Sequence, residues 1–199
     1  MVIVRAMSIT IVFSVLSSIL AVISIIPYYI GLWRGQLRPH FFSWVVWAIL
    51  VSVACAAQIA EDGGLGAITT FLSALICASI AVISLFRGER NITRTDWMAF
   101  IAALMAIPLW LWTENPLISV ILVTTIDGLA FVPTFRKSWS KPWEESTLAY
   151  GLGALAFALS LPALTTLNVT TALYPAAVTL FNGGFCVMVL LRRRTLPVA

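Results

Sequence analysis

The sequence predicts an all-α integral membrane protein of seven transmembrane helices, arranged as two parallel triple-helix bundles joined by a linker helix. Three observations predict this fold class: a very apolar composition, seven long apolar runs, and a segment that occurs twice. Hydrophobic residues make up 61% of the 199 residues, charged residues make up 10%, and the mean hydropathy is +1.01. Too few polar groups remain to cover a surface in water, so the expected partner is the lipid bilayer.

Seven apolar runs reach or approach the length of about 20 residues that a helix needs to cross the hydrocarbon core. They are residues 7–29, 41–59, 65–86, 97–112, 117–135, 146–164 and 173–191. The fourth run is short and contains Pro108. The first run is longer than the roughly 7 to 15 apolar residues of a secretory signal and no cleavage site follows it, so we expect a retained span.

Basic residues orient these spans. Eleven of the 12 Lys and Arg residues fall in the odd-numbered connections and the C-terminal tail, whereas the opposite side carries Arg5, Glu61, Asp62 and Glu114. The positive-inside bias makes the basic side cytoplasmic. We therefore expect an inner-membrane protein of a bacterium with its N-terminus outside and its C-terminus in the cytoplasm. The net charge of +4 then reflects topology, and no nucleic acid partner is expected.

A proline-centred segment occurs twice, at residues 26–44 and 132–146, with an offset of roughly 105 residues. Each copy ends an apolar helix with a proline, continues through a basic turn, and reaches a serine at the start of the next helix. The repeat predicts a first bundle at residues 1–87, a loop and linker helix at 88–115, and a second bundle with a basic tail at 116–199. A single linker helix gives both bundles the same orientation, as in parallel-repeat transporters.

The two matched prolines, Pro27 and Pro133, are candidate hinges. Proline removes a helical hydrogen bond and permits a kink, which would allow each helix to bend during gating. The alternative is an ordinary membrane-helix proline whose freed carbonyl is satisfied by neighbouring helices.

These features together resemble the PQ-loop and SWEET superfamily of membrane proteins. The topology matches over nearly the whole chain, and the motifs match over about thirty residues, including Val-Pro-Thr-Phe at 132–135 and the continuation to Ser146, which is similar to the fifth-helix segment of plant SWEET sugar transporters. Two departures stand out. The glutamine of the PQ pair is replaced by Tyr28 in one copy and Thr134 in the other, and helix two lacks the proline that SWEETs carry there.

The resemblance implies a transporter of a small polar solute, such as a sugar, an amino acid or a vitamin, which works by alternating access between the two repeats. SWEETs place an asparagine of helix seven, in an Asn-Gly context, against the sugar, which implies a substrate-binding role for Asn182. An amide offers both donors and an acceptor for such a solute. The alternative is an interhelical hydrogen bond, with Gly183 and Gly184 allowing close packing.

Other candidate substrate-binding residues come from helices two, three and six. Helix three offers Ser73, Cys77 and Ser79 in the region equivalent to that of Asn182, which makes this side of the predicted pocket less polar. Trp47 lies about two turns into helix two, and its repeat partner is Tyr150 on helix six. We expect this pair to flank a central cavity, although SWEET pocket tryptophans come later in those helices.

Asp127 is the only acidic or basic side chain well inside a predicted span. It lies about 15 Å along helix five, near the middle of the bilayer. A carboxylate at that depth costs about 2.5 to 3.5 kcal/mol, so it should face the bundle interior and be paired or protonated. No basic partner is available there, and desolvation favours the protonated form, which makes Asp127 a candidate for proton coupling. The alternative is a structural aspartate hydrogen-bonded to Thr124 or to a neighbouring helix.

Chemistry that makes or breaks covalent bonds finds no support in the sequence. His40 stands alone at a membrane boundary, and Cys55, Cys77 and Cys186 lack metal-ligand or redox-motif spacing. Phosphate-binding, dinucleotide-binding and Ser-His-Asp patterns are also absent from the sequence. We therefore expect neither an enzyme nor a bound metal or other cofactor.

A second class of function stays open at this point. The same scaffold could serve as a receptor or as a subunit of a larger complex without transporting anything, and a homo-oligomer is also compatible with the sequence. A receptor should show a polar pocket open to one face only. A subunit should show a lipid-facing stripe of small residues, for which residues 102–106 and 151–158 are candidates.

Overall fold

The computed structural model of the chain describes residues 2–89, 92–113 and 115–196. Over these ranges the chain folds into α-helices and short connections, without a β-strand. The helices are α1 (Val2–Trp33), α2 (Phe41–Ala60), α3 (Ala67–Arg87), α4 (Arg94–Thr113), α5 (Pro116–Ser140), α6 (Thr147–Ser160) and α7 (Val169–Thr195). Single 3₁₀ turns at Gly64–Gly66, Pro142–Glu144 and Leu161–Ala163 flank α3 and α6. The prediction of an all-helical protein is confirmed.

Five segments of the described chain are long and apolar enough to cross a membrane. They are Ile9–Trp33, Phe41–Ala60, Gly64–Arg87, Pro116–Ser140 and Val169–Thr195. The segment Thr147–Ala163 is apolar but shorter. These lengths agree with an integral membrane protein. Arg90 and Glu114, two charges used above to orient the spans, lie outside the described residues, and so does the side chain of Arg5.

Capping side chains fix the starts of α5 and α6. Asn115 accepts hydrogen bonds from the backbone amides of Leu117 and Ile118, and Pro116 occupies the first turn of α5. Ser146 Oγ accepts from the Ala149 amide at 3.2 Å, so this serine opens α6 as the repeat predicts. Such caps satisfy amides that have no partner within the helix.

The other copy of the repeat differs at the equivalent point. Helix α2 begins at Phe41, so Ser43 lies within its first turn. Ser43 Oγ instead donates to the Ala130 carbonyl of α5 at 3.2 Å and accepts from Thr134 Oγ1 at 3.2 Å. The serine of this copy therefore joins two helices and does not cap one.

The helices pack in a pattern that repeats. Helices α1 and α2 both contact α3, and in the second half α5 and α6 both contact α7. Between the halves, α1 packs against α6, and α5 packs against α2. Exchanging α1, α2 and α3 for α5, α6 and α7 therefore reproduces the set of contacts. Helix α4 stands outside this exchange and packs against α5 and α2.

Large apolar side chains cover much of the outer surface. Trp33 is 75% exposed and Phe86 is 78% exposed, and similar side chains line the outward faces of most helices. Such a surface is unfavourable in water and suits contact with lipid. At the basic end, the Arg87 guanidinium lies 4.9 Å from the Trp33 ring centroid, which places a charged group beside an interfacial aromatic.

The structure describes the two candidate subunit interfaces, the small-residue stripes at 102–106 and 151–158, to different extents. In the stripe at 102–106, the side chains of Ala103 and Ala106 lie outside the described residues. In the stripe at 151–158, Ala156 and Phe157 are buried within the bundle and Leu155 is exposed. This stripe therefore packs partly inward.

Candidate functional site

A cavity of about 110 Å³ lies between the two sets of three helices. Ten of its lining residues come from α1, α2 and α3, and ten come from α5, α6 and α7. The volume is several times the roughly 10 to 15 Å³ that one water molecule needs. The cavity is therefore shared evenly by the two halves and has room for a small solute.

Ser79, which the sequence also suggested, does not line this cavity, and its hydroxyl group hydrogen-bonds with that of Tyr29. The other six side chains that the sequence suggested for substrate binding or proton coupling do line it. These residues are Trp47, Ser73, Cys77, Asp127, Tyr150 and Asn182. Ala21, which lies six residues before Pro27 as Asp127 lies six residues before Pro133, lines it as well. The structure therefore brings the six residues together, while their roles in binding stay predictions.

Neither candidate hinge lines the cavity. Helices α1 and α5 continue through Pro27 and Pro133. Pro133 is buried within α5, and Pro27 borders a crevice between α1 and the connection from α5 to α6. A further proline, Pro175, lies inside α7 and was not singled out by the sequence analysis.

The Asp127 carboxyl group is buried, with 2% of the residue exposed. Its Oδ1 accepts a hydrogen bond from the Tyr174 hydroxyl of α7 at 3.2 Å, and its Oδ2 has no hydrogen-bond partner among the described residues. No described ion pair includes it. The contact with a neighbouring helix is therefore present, and one oxygen remains available to the cavity.

Three more polar groups are available to a solute. The Trp47 Nε1 and the Tyr150 hydroxyl are buried without a hydrogen-bond partner in the described part of the chain. The Asn182 amide also makes no hydrogen bond there, and its Nδ2 would lie 4.0 Å from a Cβ built on Gly153. Nothing lies within 4 Å of a Cβ built on Gly183 or Gly184, so these glycines do not mark a close helix contact.

The two serines that line the cavity, Ser24 and Ser73, already form hydrogen bonds within their own helices. Ser73 Oγ donates to the Thr69 carbonyl at 2.9 Å, and Ser24 Oγ donates to the Ala21 carbonyl at 2.7 Å. Their hydroxyl oxygens can still accept, but the donor of each is occupied.

Aromatic rings form a continuous wall that the sequence analysis identified only at Trp47 and Tyr150. Ring centroids lie 5.2 Å apart for Tyr28 and Trp44, 5.1 Å for Trp44 and Trp47, and 4.7 Å for Trp47 and Phe131. A signal for Trp44 was present, because residues three apart share a helix face and Trp47 was already a candidate. The same holds for Phe131, which lies four residues after the candidate Asp127 and therefore shares its helix face.

A buried ion pair closes the basic end of the bundle. Lys137 Nζ lies 2.8 Å from Glu145 Oε1, and the two side chains are 7% and 1% exposed. Both residues belong to the second half, and both reach the first: Lys137 Nζ donates to the Arg38 carbonyl at 2.5 Å, and the Tyr28 hydroxyl donates to Glu145 Oε2 at 3.4 Å. Desolvation raises the pKa of the Glu145 carboxyl above its ordinary value, and Lys137 and Tyr28 partly oppose this rise.

Hydrogen bonds also join the two halves at the opposite end. The buried Gln58 donates from Nε2 to the Thr171 carbonyl at 3.0 Å, and the Thr165 amide donates to the Gly63 carbonyl at 3.3 Å. Gly64 has a positive φ of +61°, and a Cβ there would lie 2.1 Å from Thr165 Oγ1, so only glycine fits. The cavity thus lies between two layers of contacts that link the halves.

Comparison with protein-family models, with curated proteins and with solved structures finds no match to this chain.

Proposed function

We propose that the chain is a seven-span, SWEET-like transporter of a small polar solute, which exposes the central cavity alternately to the two sides of the membrane. The observation that carries the proposal is a cavity lined equally by two matching sets of three helices. The N-terminus lies outside and the C-terminus in the cytoplasm of a bacterial inner membrane, following the distribution of basic residues.

The repeated packing pattern supports two units that move against each other. Each unit has its own three-helix contacts, and the units meet through the matched pairs α1 with α6 and α5 with α2. This is the arrangement expected for parallel repeats related by an axis along the membrane normal. Helix α4 then acts as the linker that lets both units insert with the same orientation.

The two contact layers supply the gates that such a cycle needs. At the basic end the gate includes Tyr28, Lys137 and Glu145, and at the other end it includes Gln58 and Thr171. Opening one layer while the other holds would connect the cavity to one side only. Pro27 and Pro133 lie in the helices that cross the basic end, where a bend would separate the layer there.

The test is uptake of radiolabelled sugars, amino acids and vitamins by vesicles containing the purified protein, guided by a thermal-shift screen because ligands that bind the folded state raise its melting temperature. Gly153→Leu is the decisive variant, since it places a side chain in the cavity beside Asn182. Gly183→Leu is the matched control, because its Cβ meets nothing within 4 Å.

We expect uptake by the parent and by Gly183→Leu, and little or none by Gly153→Leu, with both variants folded. Equal uptake by both variants would show that the cavity is not the route. Binding without uptake or exchange in the parent would instead indicate a receptor.

A further inference from the structure

We propose that the cavity binds a small organic cation bearing an ammonium group, and that this cation takes the place of a proton on Asp127. The inference rests on the proposed function of the cavity and names the chemical class of its ligand.

The charge of the cavity lining favours a cation as the ligand. Among the described residues that line the cavity, Asp127 is the one acidic residue and none is Lys, Arg or His. The carboxyl is buried, its Oδ2 has no partner among the described residues, and no described ion pair neutralises it. A lone carboxylate in such a place requires either a proton or a cation. An anionic solute would add a second negative charge and is disfavoured.

The aromatic wall of the cavity also favours a cation, and in particular an ammonium group. Seven of the 20 lining residues are aromatic, and they come from five helices. The rings of Trp44 and Trp47 stand at 87° to each other, and the ring of Phe131 is tilted by 50° to that of Trp47. Rings in several orientations around one space offer their negative faces to a cation, which is how proteins recognise quaternary ammonium groups.

Few hydrogen-bonding groups of the described lining remain free for a polyhydroxylated ligand: beside Asp127 Oδ2 these are Trp47 Nε1, the Tyr150 hydroxyl and the Asn182 amide. The hydroxyls of Tyr28 and Tyr174 already donate to carboxylates, and those of Ser24 and Ser73 already donate to carbonyls. A sugar needs partners for most of its hydroxyl groups, and each hydroxyl buried without one weakens binding. An ammonium group with apolar substituents makes no such demand.

Competition with protons follows from the same surroundings. The other titratable groups that line the cavity are Tyr28 of α1, Cys77 of α3, Tyr150 of α6 and Tyr174 of α7. Among the side chains that the structure describes, α2 contributes no titratable lining residue and α4 contributes none of the lining. The ordinary pKa values of a thiol and a phenol are about 8.5 and about 10, so below that range Asp127 is the group of the described lining that exchanges a proton for the ligand. Binding of the cation should therefore weaken as pH falls.

The test compares ligands that differ in charge and hardly in shape. Choline and its neutral isostere 3,3-dimethyl-1-butanol form the central pair, with methylammonium and tetramethylammonium as further cations and glucose as a neutral polyol. Binding to the purified full-length protein in detergent is measured by calorimetry and thermal shift at about pH 8 and about pH 5.5, on either side of the range where a competing proton should act.

We expect at least one ammonium probe to bind about tenfold more tightly than the neutral isostere at the higher pH, to bind more weakly at the lower pH, and to release protons on binding. Asp127→Asn should abolish the preference for charge and the proton release, whereas Asp127→Glu should retain both. Gly183→Leu is the control that should match the parent.

The proposal is wrong if none of the three ammonium probes binds, if the neutral isostere binds as tightly, or if binding in the parent does not respond to pH. The pH response uses the parent alone, so a poorly folded variant does not prevent a decision. Uptake of a neutral solute without ammonium binding would overturn the cation site and leave transport standing. Ammonium binding without uptake or exchange in vesicles would support the cation site and overturn the proposed transport.

Discussion

Replacing Lys137 with methionine removes the charged partner of a buried carboxylate, and we expect it to destabilise the protein strongly at neutral pH. The ammonium lies 2.8 Å from Glu145 Oε1, and the Glu145 side chain is 1% exposed. Removing one partner of a buried ion pair costs about 3 to 5 kcal/mol. At about 2 to 4 °C per kcal/mol for a protein of this size, the melting temperature should fall by about 6 to 20 °C.

The loss should depend on pH in a defined direction. Desolvation raises the pKa of Glu145, so the folded state favours its protonated form. The stability that this contributes is fully present below the ordinary glutamate pKa of about 4.3 and is lost as pH rises through the folded-state value. Lys137 opposes that loss by stabilising the carboxylate. The difference in melting temperature between the parent and Lys137→Met should therefore grow as pH rises from about 5 to about 8.

Thermal unfolding in detergent, followed by tryptophan fluorescence over this pH range, measures the effect. The double variant Lys137→Met, Glu145→Gln should recover most of the stability at neutral pH, because no charge is then left buried. Lys141→Met is the matched control: Lys141 is 55% exposed and pairs with Glu89 and Glu144 at 3.6 and 3.7 Å, so its loss should cost less than about 1 kcal/mol. Indistinguishable melting of Lys137→Met and Lys141→Met at every pH would refute the reasoning.

Three further predictions concern topology, binding and gating. In a variant without native cysteines, a cysteine introduced at Glu61 should react with an impermeant thiol reagent added from outside. A cysteine introduced at Gly88 should react only after the membrane is opened. Reaction of both cysteines from the same side would exclude the seven-span topology. Asn182→Ala should weaken the binding of a probe that the parent binds by about 0.5 to 1.5 kcal/mol in calorimetry, with little change in melting temperature, since its amide lines the cavity without a hydrogen-bond partner among the described residues. A much lower melting temperature with unchanged affinity would make Asn182 a structural residue. Pro133→Ala should leave the affinity for the probe unchanged and should slow exchange of the probe across vesicle membranes, because alanine restores a helical hydrogen bond and stiffens the helix. An unaltered exchange rate would count against a hinge at Pro133.

The sequence by itself determined the helices and the depth of the important residues. In lipid every backbone polar group must be satisfied within the segment, so a long apolar run has to be helical. Because a helix rises by about 1.5 Å per residue, counting from the ends of a run also placed Asp127 near the middle of the bilayer, Asn182 in the middle of helix seven, and Trp47 about two turns into helix two. All three line the cavity. The repeat further indicated that Trp47 and Tyr150 are equivalent, and both are found there.

Only the tertiary structure decided which side chains meet. Tyr174 donates to Asp127 across 47 positions of sequence, and Tyr28 donates to Glu145 across 117. Hydrophobicity also did not mark which face of a helix turns inward, and only the candidates Trp47 and Asp127 indicated it for α2 and α5. In water the inner face of a helix is marked by its apolar residues, but in a bilayer the lipid is as apolar as the protein core, so hydrophobicity does not distinguish the two faces. Packing of one helix against another therefore determined that Ile25 and Tyr28 of α1 line the cavity while Trp33 of the same helix faces outward.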